Sequence, residues 1–354
     1  MDDTDPGKVK YINQNYLPFE FVVDTLESSD DVYHAISSMK LRGAPLIGAA
    51  AAFGIYLATL ESAGHPDPDQ YIIETAMKLL ASRPTAINLS GTVKRQLQAV
   101  SQAITIEDKT NSTRRICKEI LKEETESCYR IGQHGLTLIE KLPAKKKGEP
   151  INILTHCNAG WLACIDYGTA TAPVYLAHEK GIPVHIWVDE TRPRNQGGRL
   201  TAWELEQEGI PHTIIADNAG GHLMQHGQVD LVIVGSDRTT RRGDVANKIG
   251  TYLKALAAKE NDVPFYVALP SSSIDFGIAD GIHEIPIEER DADEIRYVNW
   301  KLNKIPLLNE KSPVLNIGFD VTPARFVTGL ITERGICAAS EKGIKTLFPE
   351  KYDQ

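Results

Sequence analysis

Cysteine is scarce and scattered in this chain. Its five residues, Cys117, Cys128, Cys157, Cys164 and Cys337, are odd in number and form no C-x-x-C pair. That usage argues against a disulfide framework and for a reducing, cytoplasmic setting. No run approaches about 18 consecutive apolar residues, so no membrane span is expected. The opening MDDTDPGKVK lacks the apolar core of a secretion signal. Positive charge is in deficit, with 38 Lys and Arg against 47 Asp and Glu and a net charge of −9. A binder of nucleic acid or membrane surface is therefore not expected, and a phosphorylated ligand needs a local group of cations. No Walker or dinucleotide glycine fingerprint occurs, which counts against ATP or NAD. His222 and His226 in HLMQH have the spacing of a zinc helix but lack its glutamate and a third ligand nearby. No metal is expected there.

What is present suits a two-domain globular protein of 354 residues. Helical periodicity dominates from about Tyr11 to Ile139, so residues 1–145 read as a mainly helical domain. Within it, RGAPLIGAAAAFGIYLATL (Arg42–Leu60) is rich in small side chains that let a helix approach its neighbours closely. Ile116, Ile120 and Leu121 recur at helical spacing among charges. LPAKKKGEP (Leu142–Pro150) breaks the pattern with two prolines, a glycine and three lysines, and reads as the domain junction. Beyond it, residues 146–354 alternate short β-branched runs with amphipathic stretches such as Ala163–Lys180 and Arg199–Glu208. That is the pattern of βαβ units on a parallel sheet. The runs are INILTHCN, VHIWVDET, HTIIADN, VDLVIVGSDR and PFYVALPSSS. A further run, VLNIGFD (Val314–Asp320), leads to Thr322, which reads as a helix N-cap with Pro323 at the first helical position.

Each of the five runs ends in residues capable of chemistry: His156-Cys157-Asn158, Asp189-Glu190-Thr191, Asp217-Asn218, Ser236-Asp237-Arg238 and Ser271-Ser272-Ser273. Ligands of open parallel sheets bind outside the carboxyl ends of the strands, so these ends are expected to face one crevice. Cys157 precedes a helix expected near Gly160, and a helix N-terminus lowers the pKa of a nearby thiol. The plainer alternative is a cysteine packed in the core, as Cys164 reads. Asp237 emerges directly from buried LVIV, which suits a general acid or base; capping of the next loop is the alternative. Asp244, Asn247 and Lys248 sit where a helix over IGTYLKAL should start, and its amides plus a lysine would cradle phosphate. Gln196, beside Gly197 and Gly198, is placed to meet sugar hydroxyls. Arg42 and Gly43, just before the apolar helix, and Arg83 in SRPTAINL are further anion contacts in prospect.

The segments RGAPLIGAAAAFG, RPTAINLS, ILTHCNAG, DETRPRNQGGRLTAWEL, DVANKIGTY, PFYVALPSSSID, IPIEER and FDVTPARFVTGLITERG run in this order from about residue 10 to 345. Together they resemble the 5-methylthioribose 1-phosphate isomerase family, which is related to regulatory subunits of the translation-initiation exchange factor. The resemblance implies an α/β protein with a helical N-terminal domain and a Rossmann-like C-terminal domain, working as a homodimer. It implies conversion of an aldose 1-phosphate to the ketose 1-phosphate without metal or nucleotide cofactor. It implies that Cys157 is the catalytic thiol and Asp237 the proton donor. The substrate contacts it implies are Arg42, Gly43, Ala44, Arg83, Gln196, Asn247 and Lys248. Two stretches depart from the family pattern. NLSGTVKR, with Gly91 and Thr92, stands where methylthioribose-recycling members often carry a tryptophan, and RTTRRGD replaces a short apolar and Asn-Gly loop after Asp237. Both leave the 5-substituent open between methylthio and deoxy. Arg241 and Arg242 add ribose 1,5-bisphosphate as an alternative, and a non-catalytic regulatory subunit is the opposing class.

Overall fold

The computed structural model describes residues 5–83, 86–142, 148–300 and 303–352. They form two compact units: Met1–Glu126 with Leu162–Ile165, and Ser127–Trp161 with Asp166–Gln354.

The first unit opens on an antiparallel hairpin of β1 (Val9–Ile12) and β2 (Val23–Leu26), with Val9 opposite Leu26. α1 (Ser29–Ser37) begins at a capping box in which Ser28 and Asp31 exchange bonds with each other's backbone amides. α2 (Ala44–Glu61) is the centre of the unit, packed by α1, α3 (Pro68–Ser82) and α4 (Ile87–Gln102). It is long and apolar enough to cross a membrane by composition. Its Ile47, Phe53, Ile55 and Leu57 are instead buried in a core shared with Val32, Leu79, Leu89 and Val93. Burying each such side chain contributes about 1.5–3 kcal/mol. Gly54 marks how close the helices come, since a Cβ there would lie 2.8 Å from Leu79 Cδ1. α5 (Ile106–Lys141) adds Ile116 and Ile120 to the same core, as their spacing predicts. The junction read at Leu142–Pro150 falls largely on residues 143–147, outside the described residues. By packing, the units divide between Glu126 and Ser127, inside α5.

The second unit is wound around a seven-stranded sheet. In chain order its elements are β3 (Ile151–Thr155), α6 (Trp161–Cys164, of which Leu162 onward belongs to the first unit), α7 (Ala172–Glu179), β4 (Val184–Asp189), α8 (Ala202–Gln207) and β5 (His212–Ile215). There follow α9 (Ala219–Gln225), β6 (Leu231–Val234), β7 (Arg238–Thr240), β8 (Val245–Lys248), α10 (Thr251–Glu260), β9 (Phe265–Ala268) and β10 (Ile274–Asp275). The chain ends through α11 (Gly281–Glu284), α12 (Asp293–Arg296), a hairpin of β11 (Tyr297–Trp300) and β12 (Asn303–Pro306), β13 (Phe319–Thr322), β14 (Gly329–Thr332), β15 (Gly335–Cys337) and α13 (Glu341–Leu347). The sheet order is β15-β14-β9-β6-β3-β4-β5, and every pairing except that of β15 is parallel. From β3 the chain winds to β4 and β5 on one side, then returns to place β6, β9 and β14 on the other. The winding therefore reverses between β3 and β6, the topological switch point of a Rossmann-like sheet. Residues such as Leu154, Val232, Val234 and Val267 have no exposed surface, because helices cover both faces of a parallel sheet.

Several sequence expectations are corrected here. Val245–Lys248 is a strand, so Asn247 and Lys248 do not open a helix; α10 starts later, at Thr251. Thr322 is the last residue of β13, paired with Val245, and Pro323 leads only into a short 3-10 turn, Ala324–Phe326. β13 joins β10, β7 and β8 in a separate four-stranded sheet rather than extending the main one. The stretch Ala163–Lys180 holds two short helices instead of one, and α8 is preceded by a wide turn over Gly197–Thr201.

Candidate active site

β3 ends at Thr155, and the chain turns through His156, Cys157 and Asn158. Cys157 has φ +66°, in the left-handed region, with no glycine to ease it. Backbone strain of this kind costs of order 1–3 kcal/mol and persists only where the surroundings impose it. They do so here from both sides. The Cys157 amide donates to Thr191 Oγ1 at 2.8 Å, and Thr201 Oγ1 donates to the Cys157 carbonyl at 2.7 Å. The thiol points at Gln196, with Sγ 3.4 Å from Oε1. Gln196 and Thr191 are buried, while Cys157 keeps partial exposure. The thiol is thus aimed at an amide oxygen.

The neighbours of Cys157 are fixed by buried polar bonds. Asn158 Nδ2 donates to Thr201 Oγ1 and to Glu204 Oε1, each at 3.1 Å, and Tyr175 OH donates to Glu204 Oε2 at 2.8 Å. Burial, reinforced by the Glu204 charge, pushes the Tyr175 phenol well above its ordinary value. His156 is 1% exposed; its Nδ1 lies 2.7 Å from Asp189 Oδ2 and its Nε2 2.8 Å from the Ile249 carbonyl. Both ring nitrogens thus face an oxygen, a carboxylate on one side and a carbonyl on the other. Lys254 Nζ lies 2.9 Å from the same Asp189 oxygen and also donates to the Asp217 carbonyl. The Asp217 carboxylate in turn accepts from the amides of Thr191 and Arg192, at 2.6 and 2.7 Å.

His156, Asp189 and Asp217 have the chemistry of metal ligands and lie within 4.8 Å of one another. The arrangement does not fit a cation. The Lys254 ammonium already occupies the group, and each ring nitrogen of His156 already has a hydrogen-bond partner. His222 and His226 are exposed, with ring centroids 4.2 Å apart and planes tilted by 40°, and belong to no such group among the described residues.

Asp237 leaves the end of β6 on the other side of the switch point. The turn that carries it packs against the Cys157 turn: a Cβ on Gly235 would lie 2.7 Å from Ala159 Cβ. The Asp237 amide donates to the Ala246 carbonyl at 3.0 Å, which sets Asp237 beside the strand of Asn247 and Lys248. Arg238, next in sequence, is anchored by Nε to Asp275 Oδ2 at 3.0 Å. Asn247 and Lys248 are buried; Asn247 Nδ2 donates to Thr251 Oγ1 at 3.0 Å, and Lys248 Nζ lies 4.6 Å from the centre of the Phe319 ring. The Ile249 carbonyl that meets His156 follows directly, so β8 runs up to the end of β3. Cys157, Gln196 and Asp237 thus follow the carboxyl ends of β3, β4 and β6, and the strand of Asn247 and Lys248 runs up to the end of β3.

The helix start expected to hold phosphate is taken. Asp320 accepts from the Gly250 amide at 2.7 Å and from the Tyr252 amide at 3.1 Å, placing the chain's own carboxylate at the N-terminus of α10. Burial pushes the Asp320 carboxyl up, against those two amides and the charges of His156 and Lys254.

The remaining candidates lie in the first unit. Gly43, at φ +102°, is the residue before α2, and Ala44 is its first residue. A Cβ at Gly43 would meet the Ala163 carbonyl at 2.5 Å, so only glycine fits. Arg42 is buried at 4%, and Arg83, at the end of α3, is buried with Nη1 3.1 Å from the Met39 sulfur. Buried arginines are uncommon, and both occur where the sequence drew attention.

Sequence reasoning missed Thr201, Glu204 and Lys254, and singled out Thr191 only as part of the polar end of β4.

Residues 40–339 match the initiation factor 2 subunit family. The chain is 56% identical over 355 residues to methylthioribose-1-phosphate isomerase of Desulfatibacillum aliphaticivorans, covering 99% of this chain and 96% of that protein. It is 53% identical over 357 residues to the protein of that name from Brucella anthropi, covering 98% and 96%. Among solved structures it is similar to 5-methylthioribose 1-phosphate isomerase from Pyrococcus horikoshii OT3, with TM-score 0.84, 38% identity and 98% and 94% of the two chains covered. It is also similar to subunit delta of translation initiation factor eIF-2B from A. fulgidus, with TM-score 0.79, 36% identity and 96% of each chain covered.

Proposed function

Since the chain belongs to the initiation factor 2 subunit family, we propose that it is the isomerase of a 5-modified ribose 1-phosphate. The substrate is 5-methylthioribose 1-phosphate, 5-deoxyribose 1-phosphate or both, and the product the matching ribulose 1-phosphate. This is an intramolecular oxidation and reduction, an aldose becoming a ketose, and it suits salvage of methionine or of 5'-deoxynucleosides. One observation carries the enzyme reading over a regulatory subunit: a strained Cys157 whose thiol is aimed at Gln196 beside the switch point. A scaffold has no use for that strain.

Phosphate on the anomeric oxygen prevents the ring from opening as a free sugar does. Asp237 protonates the ring oxygen, and the bond from C1 to that oxygen breaks, leaving an electron-poor C1 that still bears phosphate. In a proton route, C2 then loses its hydrogen to give an enol; C1 regains a proton as the C2 hydroxyl becomes the ketone. In a hydride route, the C2 hydrogen moves to C1 with its electron pair while the C2 hydroxyl loses its proton. The Cys157 thiol suits the relay of a proton to C1. Buried surroundings such as those of His156 and Asn247 exclude water from a reactive intermediate. Asn247, Lys248 and Gln196 are assigned to substrate hydroxyls and phosphate. Arg42, Gly43, Ala44 and Arg83 are assigned to the substrate as well, on the family resemblance and on the charge of the two arginines. We assign a homodimer and a reducing, cytoplasmic setting with the same reading; none of the five cysteines is bound in a disulfide.

The test is incubation with the 1-phosphates of 5-methylthioribose, 5-deoxyribose and ribose, with detection of ketose. Turnover of either 5-modified sugar supports the reading, and their relative rates name the 5-substituent. No turnover of any of the three overturns it, in favour of ribose 1,5-bisphosphate isomerisation or of a regulatory subunit.

A further inference from the structure

We propose that Thr191 and Thr201 are positioning residues for the thiol. They form a clamp that holds the Cys157 backbone left-handed so that Sγ meets Gln196. The proposal rests on Cys157 being the catalytic thiol of the isomerase. The two hydroxyls act in opposite senses: Thr191 Oγ1 accepts from the Cys157 amide, and Thr201 Oγ1 donates to the Cys157 carbonyl. Between them they fix both peptide groups that flank the residue, and with them its φ and ψ. A cysteine free to relax would leave the left-handed region and swing its Sγ elsewhere.

The clamp is itself braced. Thr191 has φ +64°, so its own conformation is imposed, and a β-branched residue resists that region strongly. The Asp217 carboxylate holds the Thr191 and Arg192 amides, and Thr191 Oγ1 donates onward to the Asp189 carbonyl at 3.0 Å. That donation orients the hydroxyl so that its lone pairs face the Cys157 amide. Thr201 Oγ1 also accepts from Asn158 Nδ2 at 3.1 Å, which turns its hydrogen toward the Cys157 carbonyl. Gln196, the partner of the thiol, lies on the loop between the two threonines. One loop therefore supplies both jaws of the clamp and the group the thiol is aimed at. Gly197 allows the loop to close this tightly, because a Cβ there would lie 1.8 Å from the Asp189 carbonyl oxygen.

Valine keeps the shape of threonine and removes the hydroxyl; serine keeps the hydroxyl. Four variants of the full chain, Thr191→Val, Thr191→Ser, Thr201→Val and Thr201→Ser, are compared in two assays. The first is steady-state isomerisation. The second is the rate of iodoacetamide labelling at each cysteine, resolved by peptide mass spectrometry, with Cys337 as the internal reference. Each valine variant is expected to lose about 10- to 100-fold in kcat with KM within about threefold, as misplacement of a reacting group does. Labelling of Cys157 should rise about threefold or more while that of Cys337 stays constant, because a released thiol leaves Gln196. Each serine variant should return both readings to within about threefold of the wild type. Valine variants with unchanged kcat and unchanged Cys157 labelling overturn the clamp. So does a serine variant as impaired as its valine counterpart, since the hydroxyl would then not be responsible. Labelling that rises equally at Cys337 overturns it too, marking general loosening of the fold. If the wild type turns over none of the sugars, the isomerase reading fails on its own. The labelling comparison still decides the clamp.

Discussion

Asp320 caps the helix that follows the Asn247–Lys248 strand, its Oδ2 accepting from the Gly250 amide at 2.7 Å. A helix N-terminus with its own carboxylate in place has no call for a phosphate. Replacing Asp320 with alanine should lower stability by about 0.5–2 kcal/mol, the usual cost of losing a side-chain cap. Because burial outweighs the nearby amides and cations at this carboxyl, the loss is biased toward the lower end. Urea unfolding monitored by circular dichroism measures it, and an unchanged midpoint would refute the cap.

Cys157→Ser and Asp237→Asn should each lower kcat by about 10²- to 10⁴-fold, the range for loss of a positioned proton donor. Because the two groups serve one reaction, the double variant should lose far less than the product of the single losses. Steady-state kinetics on the sugar that turns over gives the answer. Full activity in Asp237→Asn would remove the acid proposed for ring opening.

Glu294 braces the loop that carries Gln196. It accepts from Arg290 Nε and Nη2 at 2.9 and 2.7 Å and from Arg194 Nη1 at 3.2 Å, while Arg192 Nη2 donates to the Ile295 carbonyl at 3.0 Å. Burial pushes the Glu294 carboxyl up, but the arginines and Asn316 outweigh it and hold the group down at about 2. A depressed carboxyl stabilises the fold above its ordinary value, 4.5, and the stabilisation fades as pH falls from there toward 2. Glu294→Gln should therefore be less stable than wild type at pH 7 by about 1–3 kcal/mol, discounted for the solvent that still reaches the pair. The difference should shrink on acidification through that window. A gap independent of pH would contradict the assignment.

Gly160→Ala tests how tightly the Cys157 turn is packed. The added Cβ would fall 1.6 Å from Glu204 Oε2, a carboxylate already held by Asn158 and Tyr175. Overpacking of this kind costs about 1–3 kcal/mol or more, so a clear drop in melting temperature is expected. A melting temperature within a degree of wild type would mean that the turn has slack.

The main sheet was legible because parallel strands buried on both faces read as apolar runs, and the polar ends of INILTHCN, VHIWVDET and VDLVIVGSDR mark where each strand stops. Asn247 and Lys248 were misread because polar residues look like a helix start. Only pairing with Asp320 and Phe319, some 70 residues away in sequence, makes that stretch a strand. Thr322-Pro323 carries a helix-start signature, but the pairing of Thr322 with Val245 prevails over it. The N-terminal hairpin escaped because VKYI and VDTL are too short to alternate visibly. No local pattern announces that Cys157 is left-handed. Its neighbours in the clamp are 34 and 44 residues away, so the strain exists only once the fold does.

The first unit is not one continuous piece of chain, since Leu162–Ile165 lies beyond Glu126 in sequence and yet packs within it. Gln14 donates to the Leu162 carbonyl at 2.7 Å, and Ala163 closes on Gly43. No single cut between Glu126 and Ser127 can therefore release two complete halves. A fragment ending at Glu126 would expose the Gln14 amide and the backbone of Gly43, at the very start of the central helix. Truncation or domain swapping at that boundary would remove part of the core of one half while apparently editing the other.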